Sequence, residues 1–518
     1  MKSNFLHVFL FIPYYVEFFL VIAAILLLII CQFSKTFSSE KQRYMFFAWL
    51  AHKLTLLSIF ASLFCKILNV VDFDGNGFFI FIINFNEITI AWCFTVFILF
   101  FSLLLLLIPI ENFFTKYENL KNVFSVPELY AYLLLVIGVM CSIIQSENLA
   151  NTFILIELQS LMFFVLAALG RENSLRIEAS IKYFIIGGFA SALLIFGMVL
   201  IYLTTGSFLY AEIYQILHFY SSVDLTLLDA FNGYYYFGVF FFLTGVLIKM
   251  GVAPLHWWVI EIYQSTFKWI VVFFAVVSKL PLAYLLYFLY NYIFLVNSNN
   301  LLSIYCTRFF LVIAFFSLIL SAIGALSTTN LWGIFGYSAV ANGGFFILGT
   351  LYSTPFVYII FTLFYSLSVL GAILSILCIE QEFAYKNKLF SFNLFFSILS
   401  SSVYARAFLG FIIIAFLFSL AGMPPFIGFY AKFLIYLAII QKIGLSVAIL
   451  GLVLSALVLL YYLRIIEVIS FPISNRKHFV FYKTSTWSQW YLIAFILFLF
   501  LLFSMDFFSI WEMFEAVL

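Results

Sequence analysis

The sequence predicts an all-α polytopic membrane protein of about fourteen transmembrane helices, with helices seven and twelve broken. Three observations predict it. The 518 residues are 66% hydrophobic and only 9% charged, whereas soluble domains carry about 25% charged residues. Apolar runs of about 20 residues, enough to cross a bilayer as a helix, recur from end to end. The 24 Lys and Arg residues, finally, divide unevenly between alternate loops.

Hydropathy places the spans at roughly 12–33, 47–70, 87–110, 128–146, 149–169, 179–203, 234–260, 268–293, 305–326, 333–352, 355–379, 406–440, 443–468 and 487–511. No transit peptide or cleavable signal is expected ahead of the first span, which begins almost at once ("FIPYYVEFFLVIAAILLLIICQF"). Span seven contains "IKMGVAPLHWW", residues 248 to 258, and span twelve, too long for one crossing, contains "AGMPPFIGF". Both are expected to break there. Residues 207–233 read as a long loop with an interfacial amphipathic helix around "AEIYQILHFY", and Trp257–Trp258 as a packing pair.

With fourteen spans, both termini share a side, and the cations test that count. Four fall within spans (Lys53, Lys249, Lys279, Lys432) and four on the side of the termini (Lys2, Lys66, Arg308, Lys442); the remainder lie in the odd-numbered loops. The positive-inside rule then puts both termini outside, because a miscounted helix would scramble the signs. Lys53 is read as snorkelling to the interface, and Glu17 and His52 as local structure.

An ionisable group at the centre of a lone helix costs about 2.5–3.5 kcal/mol on insertion scales. Glu157 in span five, Lys249 in span seven, Lys279 in span eight and Lys432 in span twelve would together cost on the order of 10 kcal/mol facing lipid. They are therefore expected to face a polar interior, paired or hydrated. Lysine suits proton transfer because its ammonium readily gives up a proton when desolvated, and a nearby carboxylate reverses that preference. A Glu–Lys pair whose separation changes is thus a proton switch. The bland readings are a buried ion pair that only fixes register at Glu157, and a hydrogen bond from Lys279 to a carbonyl freed by Pro281.

Breaking a membrane helix frees backbone carbonyls, which is tolerated only inside protein or beside a water-filled cavity. Two interrupted spans in matching positions of two halves point to an ion path in an inverted-repeat transporter. His256, beside the first break, reads either as a relay or as a packed histidine. Glu178 and Lys182 ("RIEASIKYF") stand at i,i+4, a spacing that fits a surface pair as readily as a proton entry site.

Absences narrow the chemistry. The six cysteines lack paired spacing, and neither a Walker A loop nor a GxGxxG after a strand occurs. The chain is expected to bind no NADH, flavin, iron–sulfur cluster, metal or ATP itself. A net charge of +2 gives no sign of nucleic-acid binding.

At these residues the chain resembles a known family. "PELYAYLLLVIGVMCSIIQSENLANTFILIELQSLMFFVLAAL" is similar to helices four and five of the antiporter-like subunits of respiratory complex I. "EASIKYFIIGGFASALLIFGMVLIYLTTGS", "GVLIKMGVAPLHWWVIEIYQ", "FFAVVSKLPLA" and "SLAGMPPFIGFYAKF" resemble helices six, seven, eight and twelve of the subunit 2 family of NADH dehydrogenase, the bacterial subunit N type. The resemblance implies fourteen helices: three leading helices in 1–126, inverted five-helix repeats in 127–293 and 294–468, and a loop with a last helix in 469–518. It carries the family's helix-five glutamate onto Glu157, and its lysines of helices seven, eight and twelve onto Lys249, Lys279 and Lys432. Glu261 keeps the acidic position after "HWW". Departures are the missing basic pair in "NLWGIFGYSAVANGG", Asn342 where a His is frequent, and Ile260 where a Pro is common.

The implied function is proton translocation along a central Glu/Lys axis by a non-redox membrane-arm subunit of NADH:ubiquinone oxidoreductase. NADH, FMN, iron–sulfur clusters and ubiquinone would reside in other subunits. Partners would be neighbouring antiporter-like subunits and lipids. The location would be the mitochondrial inner membrane or a bacterial-type plasma membrane, with both termini on the electrically positive side (the intermembrane space). The 73 phenylalanines fit the AT-rich coding of an organellar genome. The alternative is a subunit of a multisubunit cation/proton antiporter, which shares fold and residues; a purely structural spacer would not need Glu157 and Lys249.

Overall fold

A computed structural model describes residues 12–36, 41–71, 87–108, 126–169, 174–221, 228–294, 301–382, 407–470 and 496. Among them are eleven helices long and apolar enough to cross a membrane, with shorter apolar helices at Phe19–Ile30 and Gly410–Ala421. The expected fourteenth span, 487–511, lies almost wholly outside the described residues, as do Lys386, Lys388 and Arg406.

In chain order the helices are α1 (Ile12–Thr36), α2 (Lys41–Val71), α3 (Glu87–Leu106), α4 (Val126–Gln145), α5 (Leu149–Ala167), α6 (Ser174–Thr205) and the short α7 (Tyr210–Ser221). Span seven follows as α8 (Leu228–Met250) and α9 (Trp257–Ser265), and span eight as α10 (Lys268–Ala275) and α11 (Lys279–Phe288), ending in a π-turn at Leu289–Phe294. Then come α12 (Leu301–Ser327), α13 (Leu331–Tyr352), α14 (Pro355–Glu382), α15 (Ala407–Ala421), α16 (Ile427–Lys442) and α17 (Leu445–Ser470). Helix α7 realises the helix expected in the loop after span six: Tyr210, Ile213 and Leu217 are buried on one face, while Glu212 and Gln215 are exposed. Its start is pinned by a two-residue bridge, Leu149 N–H donating to Phe208 O and Tyr210 N–H to Glu147 O.

Burial sorts these helices into a centre and a rim. The α10–α11 unit and α13 are each 94% buried, but α6 only 28% and α17 only 33%. Lipid accepts apolar helices but not polar groups, so a helix carrying polar side chains belongs inside the bundle, and α13 does so, with Ser338, Asn342 and Thr350 buried among its apolar residues. Along the rim, Phe189, Leu203, Val453 and Leu460 point outward, as lipid or protein neighbours require.

Lipid gives helices no hydrophobic drive to associate, so packing depends on close approach. Helices α6 and α8 achieve it through Gly197 and Gly238. A Cβ on Gly197 would lie 2.5 Å from Phe242 N and 2.6 Å from Gly238 O. The two backbones touch there.

One expectation changes in the leading helices. Lys66, read as a loop cation on the side of the termini, lies within α2 and is only 6% exposed. Its carbonyl accepts from Trp92 Nε1 at 3.0 Å, which locks α2 to α3. Lys53, by contrast, is exposed.

The α6–α8 contact yields a sign test. Gly187, on the open side of the same helix, has nothing within 4 Å of the position a Cβ would take. Gly187→Ala should raise the thermal midpoint of the purified protein, since Ala gains about 1 kcal/mol in helix propensity. Gly197→Ala should lower it, by an overpacking cost of about 1–3 kcal/mol.

Candidate functional site

Breaks seven and twelve end their first half-helices in the same way. Gly251 (φ 80°) follows α8 and Gly422 (φ 81°) follows α15, both in the left-handed region that a side chain disfavours. Gly251 N–H donates to Ile248 O and Val252 N–H to Leu247 O; equivalently, Gly422 N–H donates to Ser419 O and Met423 N–H to Phe418 O. This paired closure is the Schellman motif, which satisfies carbonyls a helix end would orphan. Three residues beyond each glycine stands the proline of a cis bond, Pro254 and Pro425.

The sequence offset of the two lysines closes in space. Lys249 sits in the last turn of α8, before its break. Lys432 comes after its break, but its Nζ reaches back 2.7 Å to Leu420 O in the last turn of α15. A C-terminal helix end carries partial negative charge and favours a cation. Gly422 makes this possible, since a Cβ there would lie 3.0 Å from Lys432 Cδ. The Phe345 ring of α13 covers the other side, 4.9 Å from Nζ.

Glu157 and Lys249 meet. Lys249 Nζ donates to Glu157 Oε1 at 2.5 Å and lies 3.3 Å from Ser160 Oγ. Side-chain exposure is 6% for the lysine and 26% for the glutamate. The pair joins α5 to the break in span seven. Next to it is a cavity of about 30 Å³, lined by Gln159, Ser160, Tyr183, Lys249, Trp258 and Ser278 together with apolar side chains.

Lys279 opens α11, and its Nζ donates to Ala339 O of α13 at 2.7 Å, with the Tyr365 ring 5.9 Å away. The acceptor is thus a carbonyl of another helix, where the bland sequence reading expected one freed by Pro281. The structure also shows an interruption that the sequence reading missed: span eight stops at Ala275 and restarts at Lys279, with Ser278 N–H donating to Phe273 O. Pro281 was the available signal. Besides that of Tyr365, the bundle buries the hydroxyls of Tyr461 and Tyr462. Asn342, in place of the family's frequent histidine, donates through Nδ2 to Ser338 O at 2.8 Å.

The remaining candidates divide. His256 donates from Nδ1 to Pro254 O at 3.0 Å, and its ring is 6.1 Å from that of Tyr337, beside the break and half-buried. Glu178, Lys182 and Glu261 come together: Lys182 Nζ lies 2.8 Å from Glu178 Oε1 and 2.8 Å from Glu261 Oε2. The triad ties α6 to α9 and is partly exposed, so it is more than an i,i+4 pair. Below it, Arg176 Nε donates to Ser265 O at 3.1 Å, and Lys268 Nζ to Tyr263 O and Gln264 O at 3.0 and 2.9 Å. Two cations therefore cap the C-terminal end of α9.

Comparisons with known proteins bear on this geometry. The family model described as NADH:quinone oxidoreductase/Mrp antiporter, transmembrane, matches residues 146–459. The NADH-quinone oxidoreductase subunit N of Hydrogenovibrio crunogenus is 28% identical over 319 residues, which cover 61% of this chain and 63% of that relative. The match thus spans somewhat under two thirds of the relative's length. A chain of respiratory complex I from Thermus thermophilus superposes with a TM-score of 0.70 at 19% identity, covering 95% of this chain and 97% of that one. A chain of the Mrp complex from Dietzia sp. does so at 0.71 and 17%, covering 98% and 96%. At such identities the two structures establish the fold.

A double-mutant cycle on Glu157→Gln and Lys249→Met measures the ion pair. Each single variant should destabilise the protein by leaving the other group unpaired in a poorly hydrated site, and the double variant should recover part of the loss. The expected coupling is about 0.5–3 kcal/mol, read from thermal or denaturant unfolding of the purified protein.

Proposed function

The chain belongs to the NADH:quinone oxidoreductase/Mrp antiporter transmembrane family, and we propose that it is the subunit-N-type, proton-translocating membrane-arm subunit of an NADH:quinone oxidoreductase. It would hold no redox centre of its own: NADH, FMN, iron–sulfur clusters and ubiquinone belong to neighbouring subunits, whose quinone reduction drives it. The observation that carries the reading is the Glu157–Lys249 pair beside a broken helix, together with buried Lys279 and Lys432, each with its Nζ on a backbone carbonyl. Four ionisable residues within the bundle, where lipid-facing placement is costly, mark an ion path.

The chemistry follows from the pair. While Glu157 holds Lys249, the ammonium is the favoured form, because an opposite charge stabilises it. When the glutamate is drawn away, Lys249 becomes a proton donor within the bundle. A proton leaving its Nζ leaves the electron pair on nitrogen and passes to the next neutral amine, Lys279 and then Lys432. Glu178, Lys182 and Glu261 stand at the cation-rich face, where protons would enter. Both termini lie on the opposite, electrically positive side of a mitochondrial inner membrane or bacterial-type plasma membrane. The matched Gly251 and Gly422 closures support reading 127–293 and 294–468 as two repeats.

The Mrp-complex likeness supports a second reading, a subunit of a multisubunit cation/proton antiporter, in which an ion gradient drives the same residues. Native gels of mildly solubilised membranes distinguish the two. Co-migration of this chain with an NADH-oxidising band supports the oxidoreductase, and a smaller particle without that activity supports the antiporter. In the oxidoreductase, Lys249→Met or Glu157→Gln should impair proton translocation while assembly persists. Unchanged proton-to-electron stoichiometry in an assembled variant counts against the axis.

A further inference from the structure

Gln159 belongs to a buried stripe of α5, with apolar Ile156, Phe163 and Leu166 as its neighbours on that face. It is 4% exposed. An amide in such surroundings is costly to bury unless both its ends are hydrogen-bonded. One end is: Nε2 donates to Ser278 O at 3.2 Å, across to the interruption between α10 and α11. The acceptor character of that carbonyl fixes the orientation of the amide, so Oε1 is the end left over. Oε1 is buried and without a partner among the described residues, as is the donor Trp258 Nε1. Both residues line the 30 Å³ cavity, together with Ser160 and Lys249.

A cavity holds a water when it offers about 10–15 Å³ of probe-occupied volume and two to four polar partners. This one has room for about two, with a carbonyl-type acceptor, an indole donor, a hydroxyl and an ammonium on its walls. Positions two apart on a helix do not share a face, so Gln159 is no extension of the Glu157 face. It points from the ion pair toward span eight.

We propose that Gln159 is a positioning residue that joins the Glu157–Lys249 pair to the interruption ahead of Lys279. Its amide N–H fixes Ser278 and its Oε1, with Trp258 Nε1, orients water beside Lys249. The inference rests on the proton-transfer reading above. When Lys249 parts from Glu157, its Nζ releases a proton to the oriented water and keeps the electron pair. The hydronium so formed passes a proton on toward the neutral amine of Lys279, which becomes the ammonium.

The test uses the intact complex from native membranes. A cryo-EM reconstruction resolved finely enough to show buried water should contain density in hydrogen-bonding contact with Gln159 Oε1 and Trp258 Nε1. A dry cavity overturns the proposal, and this arm decides alone if a variant fails to assemble. In assembled Gln159→Met, which keeps the volume and loses the acceptor, proton-coupled turnover should fall about tenfold, the rate equivalent of one buried hydrogen bond. The solvent deuterium isotope effect should grow, which a merely structural role would not cause. Unchanged turnover and isotope effect overturn the proposal. Lys249→Met run in parallel separates the two levels. Normal translocation in that variant means the proton-transfer reading fails, whereas a blocked Lys249→Met with a normal Gln159→Met means only the role of Gln159 fails.

Discussion

Inside a bilayer, a backbone carbonyl without a partner costs several kcal/mol, and no water is at hand to relieve it. The architecture here follows from where such carbonyls are exposed and what meets them. Spans seven and twelve each close their first half-helix with a glycine-dependent pair of hydrogen bonds. Side chains meet further carbonyls at or near the interruptions: His256 at Pro254, Gln159 at Ser278 and Lys432 at Leu420. At Lys432 the cation and the broken helix are therefore one solution to one problem: a lysine that would be intolerable facing lipid becomes the donor that a disrupted helix needs, and the disrupted helix supplies the oxygen that its Nζ needs.

This arrangement inverts the pattern of a soluble protein. The most buried helices, α10–α11 and α13, carry or contact Lys279 and Lys432, while the rim helices α6 and α17 present isoleucine, leucine and phenylalanine outward. Each of these two lysines is held by several neighbours. Lys279 is held between α11, α13 and α14; Lys432 between α15, α13 and its own glycine.

Some of this was legible in the sequence and some was not, for identifiable reasons. Glu157, Lys249, Lys279 and Lys432 stood out because insertion cost is a local property of one residue in one apolar run. The breaks at Gly251–Pro254 and Gly422–Pro425 were legible because glycine and proline announce them. The interruption at Val276–Ser278 was not, despite Pro281: that proline lies in the first turn of α11, where its missing N–H costs nothing, and the hydropathy stays continuous. Lys66 was counted with the loop cations although it stands inside the expected span 47–70, because its burial depends on neighbouring helices that the sequence does not show. Gln159 was invisible, since an uncharged amide hardly alters a hydropathy window, and Ser278 lies far off in the sequence. The pairing of Lys182 with Glu261 was equally non-local; only its partner at i,i+4 could be read directly.

Helix α9 has the mechanics of a small stiff body. With nine residues it is a rod about 13 Å long. At its foot, Arg176 and Lys268 clamp its last carbonyls, and Lys182 grips Glu261 on its flank. Its head abuts the break that follows Lys249, where only loop backbone intervenes. The grip at its flank is partly exposed, whereas the lysine beside its other end is nearly covered. One short rod thus spans the distance from an accessible cluster of ion pairs to a buried one.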